Sequence, residues 1–305
     1  MTPGPRIALV AGVTAAGKTA AAIALARARN GELIGADSVQ VYRGFDLGSA
    51  KPTAEELGEV RHHLIDVVDP DEAIDAARFA TLADAAIADI LARGRLPIVV
   101  GGTGLWIRAL VRGLVELPTA DPAIRGALER EAARIGAPAL HARLREVDPT
   151  YAAQIHENDQ RRIVRALEVL EQTGRPLGDF LAEHAKGAPR YDTETWLLDL
   201  PRPALYERLK SRIEAMIAAG WVDEVRALLD RWGPDVRPMQ SVGYRQIAEH
   251  VREAVTIEEA ARRAYKATRI YTRRQRTWFR GEPLGGAWTD AEALIAVAGL
   301  RPGSS

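Results

Sequence analysis

Eight residues near the start of the chain have the types and spacing of a phosphate cradle. Gly12, Val13, Thr14, Ala15, Ala16, Gly17, Lys18 and Thr19 read G-x-x-x-x-G-K-T. The two glycines let the backbone turn its N–H groups inward onto phosphate oxygens. A helix starting at Lys18 adds the positive end of its dipole. Lys18 can reach a terminal phosphate, and the Thr19 hydroxyl suits a Mg2+ that bridges two phosphates. The pattern says that phosphates bind. It does not say whose they are, or whether a phosphoryl group moves.

A phosphoryl-transfer enzyme needs a second part, an apolar strand ending in an acid that holds the metal. The best such run, Leu96–Val100, ends in Gly101-Gly102-Thr103 instead. Asp66 and Asp69 in HLIDVVDP are the remaining candidates for that acid. Asp37, in GADSVQVYRGFDLGSAKP, stands where a loop leaving the second strand would face the phosphate cradle. A carboxylate beside a diphosphate can serve as metal ligand or as general base. Asp at a helix start or turn is also a common cap, so its position alone leaves the role open.

These residues need elements to hold them. Arg6–Ala11, Glu32–Gly35, His63–Val68, Leu96–Val100 and Thr195–Leu200 read as short strands, several of them apolar throughout as in a buried parallel sheet. Helical patterns cover Lys18–Arg29, Ala76–Ala92, Pro203–Ala219, Val222–Arg231 and Ile257–Phe279. Strands alternating with helices predict a doubly wound α/β sheet with ligands at the C-terminal strand edges. From Asp121 to His184 the periodicity is almost entirely helical, broken at Gly136-Ala137-Pro138 and Asp148-Pro149. The expected organisation is a core of residues 1–113 and 190–305 interrupted by a helical insertion at 114–189. The short tail GLRPGSS reads as frayed.

The 305 residues suffice for a sizeable core, and the formal net charge is zero. That balance hides a stretch from Ala260 to Gly281 with eight Arg or Lys residues and no acid, interleaved with Tyr265, Tyr271, Trp278 and Phe279. Its aromatics read mainly as core, its cations as a flank for a polyanion. There is no cysteine, which excludes disulfides, thiolate metal sites and cysteine nucleophiles. None of the six histidines has metal-ligand spacing. MTPGPR lacks the apolar core of a secretory signal and no run approaches a membrane span, so a cytoplasmic location without membrane attachment is expected.

The segments GVTAAGKT, ADSVQVYRGFDLGSAKP, HHLIDVVDP, LPIVVGGTGLWIRAL, LPTADPAIR, NDQRRIVRALEV and SVGYRQI occur in this order. Together they resemble the bacterial tRNA dimethylallyltransferases, also called tRNA isopentenyltransferases. The resemblance runs from Ile7 to Phe279, and its most specific element is the run from Asp37 to Pro52. It implies a P-loop NTPase-like fold and transfer of a prenyl group from dimethylallyl diphosphate to N6 of the adenine just 3′ of the anticodon. The loop would then cradle departing pyrophosphate with Mg2+ at Thr19, and Asp37 would take the amine proton. The adenine must be flipped out of its stack. By resemblance, Ser38, Val39 and Gln40 approach that base, with Thr103 and Arg125 near the RNA. Arg161, Arg162 and Arg165 would contact the tRNA from one helix, and Gly243, Tyr244 and Arg245 from the GYR segment, where Tyr244 and Arg245 could stack and pair with anticodon-loop nucleotides. Arg208 and Arg212 could reach the diphosphate. The expected partners are the tRNA anticodon stem-loop and dimethylallyl diphosphate, and the expected state is a monomer.

A small-molecule P-loop kinase is the alternative, with the helical insertion serving as its lid. It would need a metal-binding acid after a strand and paired arginines over a nucleotide.

Overall fold

The computed structural model describes residues 4–252 and 254–300. The chain begins with Arg6–Gly12 (β1), Lys18–Ala28 (α1), Gly31–Ala36 (β2), Ala54–Glu59 (α2), His62–His63 (β3), Ala76–Ala92 (α3), Leu96–Gly101 (β4) and Gly104–Arg112 (α4). Five helices follow: Pro122–Ile135 (α5), Ala137–Val147 (α6), Pro149–Ala152 (α7), Gln160–Thr173 (α8) and Leu177–Ala185 (α9). Asp192–Leu198 (β5) returns to the sheet. Arg202–Ala218 (α10), Trp221–Trp232 (α11), Tyr244–Val251 (α12), Ile257–Gly281 (α13), Ala287–Thr289 (β6) and Ala291–Leu300 (α14) complete the described chain. No described helix is long and apolar enough to cross a membrane.

Alternation along the strands builds the core. In β1, Ile7, Leu9 and Ala11 enter one buried cluster, whereas Ala8 and Val10 enter another on the opposite face. A sheet buried on both faces is apolar throughout, which is why β1 and β4 carry continuous apolar runs. The six strands are all parallel, in the order β3-β2-β4-β1-β5-β6. The chain winds first to one side of β1 and then, after β4, to the other. This is the expected doubly wound sheet, and its reversal opens a crevice at the C-terminal strand ends.

Three differences from the sequence reading have local causes. The expected strand at His63–Val68 is only His62–His63, because Leu64 and Asp66 adopt left-handed φ values of 61° and 56°. The chain instead turns to lay Val67 and Val68 against the carbonyl of Val41. β5 begins at Asp192 and ends at Leu198, set by its full-length pairing with β1. The three-residue β6 was too short to leave a periodic signal. The last residues of the GLRPGSS tail, 301–305, lie outside the described residues.

The chain divides into two compact units, one up to Val111 and from Pro189 onward, the other Arg112–Ala188. The second unit packs α5–α9 around Leu128, Leu140, Leu144, Ile163 and Leu167. Its helices start where short polar side chains cap them. Asp121 accepts from Ala123 and Ile124 N–H, Asp148 from Tyr151 N–H and Asp159 from Arg162 N–H.

Candidate active site

The cradle sits between the end of β1 and the start of α1. Gly12 has φ 137°, and a Cβ there would lie 2.1 Å from the Leu198 carbonyl oxygen, since β5 pairs with β1 through Gly12 itself. Ala15 (φ 66°) and Gly17 (φ 87°) supply the left-handed turns of an anion nest. The expectation that all its amides face inward needs correction. Val13 N–H donates to Leu198 O (3.1 Å), Ala16 N–H to Val13 O (3.3 Å) and Thr14 N–H to the Gln275 side chain (2.8 Å). Ala15, Gly17, Lys18 and Thr19 keep amides for an anion, the last two at the open N-terminal turn of α1.

The Lys18 ammonium donates to Val13 O at 2.8 Å. Burial pulls its pKa down to about 8, the Asp37 carboxylate draws it back up, and Arg212 pushes it down. Asp37 leaves the end of β2. Its Oδ1 accepts from Val39 N–H (2.8 Å) and Gln40 N–H (3.3 Å), which fixes the turn, and the other oxygen bears no hydrogen bond among the described residues. Thr103, on the turn after β4, accepts from Ser38 N–H at 3.1 Å and donates to Ser38 Oγ at 3.4 Å. Gln40 donates twice, to Ser49 O (3.1 Å) and Ala50 O (2.9 Å), leaving its acceptor oxygen without a partner. Lys18, Asp37, Ser38, Val39, Gln40, Ser49 and Ala50 line a cleft of about 790 Å³.

Helix α10 contributes two cations to the same cleft. Arg208 places a guanidinium nitrogen 3.9 Å from where a Gly17 Cβ would be. Arg212 lies 3.5 Å from Ser49 O; burial lowers its pKa and Asp37 opposes that shift. The cleft thus brings the cations Lys18, Arg208 and Arg212 together with the Asp37 carboxylate beside an anion nest, with Lys51 and Glu56 also on its wall. Sequence reasoning missed Tyr271, which lines the cleft and whose phenol is pushed up by burial and by Asp37. It also missed Gln275 and Glu224. Glu224 on α11 accepts from the N–H groups of Asp46, Leu47 and Gly48 (3.2, 2.6 and 3.3 Å), tying down the loop that faces Gln40.

No strand acid completes a kinase site. Asp66 is taken up by the buried Lys51 ammonium and Asp69 by Arg43, and neither acid lines the cleft. Asp199, after β5, is held by Arg276 through two 2.6 Å bonds and lines a different opening.

The expected stacking by Tyr244 does not hold. Its ring is fully buried between Phe45 and Trp221, and its hydroxyl donates to Glu224 at 2.6 Å. Gly243, with φ 98°, packs on Trp221, while Arg245 is exposed. In the helical unit, Arg125 and Arg165 both bond the buried Glu168 at 2.8 Å, and Arg165 also donates to Pro118 O. Burial opposes ionisation of Glu168, yet the two arginines hold its carboxyl below the usual range. Arg162 makes a loose exposed pair with Asp159, and Arg161 makes no ion pair among the described residues. On α13, Phe279 is core, as expected of most aromatics there, whereas Lys266, Arg273 and Arg274 are exposed.

Sheet, cradle and cleft define a P-loop NTPase-like α/β protein whose loop faces a carboxylate with no ion pair among the described residues. The comparisons with known proteins say which. The IPP transferase family model matches residues 40–282. A tRNA dimethylallyltransferase of Anaeromyxobacter dehalogenans is 54% identical over 95% of both chains. One from Syntrophobacter fumaroxidans is 48% identical over 93% of this chain and 83% of its own. Among solved structures, the tRNA isopentenylpyrophosphate transferase of Bacillus halodurans superposes with TM-score 0.71 at 38% identity, covering 97% of this chain and 94% of its own. A eukaryotic dimethylallyltransferase captured acting on tRNA superposes with TM-score 0.80 at 28% identity, over 94% of this chain and 74% of its own. This chain belongs to the IPP transferase family. The small-molecule kinase reading is set aside.

Proposed function

We propose that this chain transfers a dimethylallyl group from dimethylallyl diphosphate to N6 of the adenine 3′-adjacent to the anticodon of tRNA, releasing pyrophosphate. The observation that carries the reading is Asp37: a carboxylate with one unbonded oxygen in the same cleft as the anion nest. Lys18 lines the same cleft, and the Asp37 carboxylate favours its charged form.

In the reaction the C1–O bond of the donor breaks and charge grows on pyrophosphate. Lys18, Arg208, Arg212 and the free loop amides meet that charge inside the cleft, where fixed donors act more strongly than in water. The N6 lone pair forms the new bond to C1, and the N6 proton passes to the unbonded oxygen of Asp37. Thr103 and the Ser38 turn hold Asp37 at the edge of β2, and the Gln40 oxygen offers an acceptor to the flipped base.

Mg2+ fits this site as an ion carried by the diphosphate. The described residues contain no group of three acidic, His or Cys ligands, while the Thr19 hydroxyl makes no hydrogen bond. Mg2+ commonly takes one or two protein ligands and completes its shell with phosphate oxygens and water. When bound, it would neutralise further charge on the leaving group.

The tRNA contacts of Ser38, Val39, Arg161, Arg162, Gly243 and Arg245 belong to the same reading, supported by their exposure or place at the cleft, and that of Thr103 by its bonds to Ser38, as do a cytoplasmic location and a monomeric state. For Arg125 and Arg165 the Glu168 network favours a structural role. The test is incubation with dimethylallyl diphosphate, Mg2+ and tRNA from cells lacking the modification. Prenylated adenosine, seen by mass, supports the reading; its absence, with ATP consumed on a small metabolite, would overturn it.

A further inference from the structure

Gln275 sits on α13 with 5% of its surface exposed, far in sequence from the two loop residues it bonds, Thr14 and Gly102. Its Oε1 accepts from Thr14 N–H at 2.8 Å, and its Nε2 donates to Gly102 O at 3.0 Å. The amide orientation follows from these partners, because the flipped form would set two donors and two acceptors against each other. Packing enforces the same contact: a Cβ at Gly102 would lie 2.4 Å from Nε2. One side chain therefore joins the diphosphate cradle to the Gly102-Thr103 turn. That turn in turn receives Ser38 N–H, next to Asp37, and its Thr103 N–H donates to Ala36 O (3.2 Å) at the end of β2. Tyr271, one helical turn earlier, feels both Asp37 and Gln275.

A buried amide with both ends satisfied cannot rotate without stranding a donor and an acceptor. A displacement of Thr14 would therefore reach Gly102, and from there the Thr103–Ser38 turn. We propose that Gln275 is a positioning residue that couples the diphosphate loop to the Thr103–Ser38 turn, so that diphosphate and the acceptor adenine each favour binding of the other. The inference rests on the reading of the cleft as a prenyl-transfer site. It explains why Thr14 N–H is turned from the anion nest to a side chain on α13.

The test measures the affinity of an unmodified anticodon stem-loop RNA by anisotropy, with and without saturating inorganic pyrophosphate and Mg2+. In the wild type, pyrophosphate should tighten RNA binding by about fivefold or more. Gln275→Leu removes both bonds. Gln275→Glu keeps the acceptor for Thr14 N–H but turns an oxygen on Gly102 O, and it carries the test should the Leu variant fail to fold. Both should reduce the coupling below about twofold while changing RNA affinity alone by less than about threefold. A purely structural role would lower both affinities and leave their ratio intact. Wild-type coupling in either folded variant, or none in the wild type, would overturn the proposal. Prenylation of tRNA by the wild type is followed in parallel. Its absence counts against the functional reading, whereas product without coupling counts against Gln275 alone.

Discussion

Replacing Asp37 by Asn isolates the chemistry from the scaffold. An Asn Oδ1 can still accept the Val39 and Gln40 N–H bonds at 2.8 and 3.3 Å, so the turn is kept. What is lost is the basic oxygen facing the cleft. General-base assistance is typically worth about 10²–10⁴-fold, or roughly 3–5 kcal/mol of barrier. The variant also loses the charge that raises the Lys18 pKa, so Lys18 falls below its value of about 8. Measuring kcat across a pH series separates the two effects, because loss of the base lowers the plateau whereas a lower Lys18 pKa shifts only the high-pH limb. On the plateau kcat for prenyl incorporation into tRNA should drop by about 10²-fold or more, with pyrophosphate affinity within about threefold of wild type. A kcat within about threefold of wild type would refute the assignment of Asp37 as base.

Other expectations follow from the same geometry. Lys18 has a depressed pKa, and a bound diphosphate raises it, so above pH 8 binding must take up a proton. Pyrophosphate affinity should therefore fall as pH rises past 8, by up to about tenfold per unit, and Lys18→Arg should remove that inflection in calorimetric titrations. Glu168→Ala strands Asp121 N–H and leaves two arginines without their carboxylate; because those arginines are partly solvated, unfolding by urea should show a loss of about 2–3 kcal/mol. Arg161→Ala and Arg162→Ala should each lower the salt slope of tRNA binding by about one without shifting the unfolding midpoint, and Arg165→Ala should do the reverse. Glu224→Ala frees three backbone amides and the Tyr244 hydroxyl, so the 46–50 loop should lose hydrogen-exchange protection while pyrophosphate affinity holds.

Much of this was legible in the sequence where one local rule decides the outcome. The cradle needs its glycines, β1 and β4 need apolar runs, and Asp37 follows a strand end. What was not legible depends on tertiary approach. Leu64 and Asp66 carry no sign of a left-handed backbone, so β3 was read too long. Tyr244 begins an amphipathic helix, and nothing local distinguishes a stacking ring from one buried on Trp221. The Arg165–Glu168 pair was visible as an i, i+3 spacing, but Arg125 joins it from another helix. Gln275 was hidden among arginines in a stretch read for its charge, although its two bonds reach residues 14 and 102.

The central claim is that the cradle holds a leaving pyrophosphate and moves no phosphoryl group. A single-turnover experiment with dimethylallyl diphosphate labelled in both the carbon chain and the terminal phosphorus tests it directly. The account predicts carbon label on tRNA adenine and phosphorus label released as intact pyrophosphate, one for one. Phosphorus label on the RNA, or released as monophosphate in step with turnover, would contradict it.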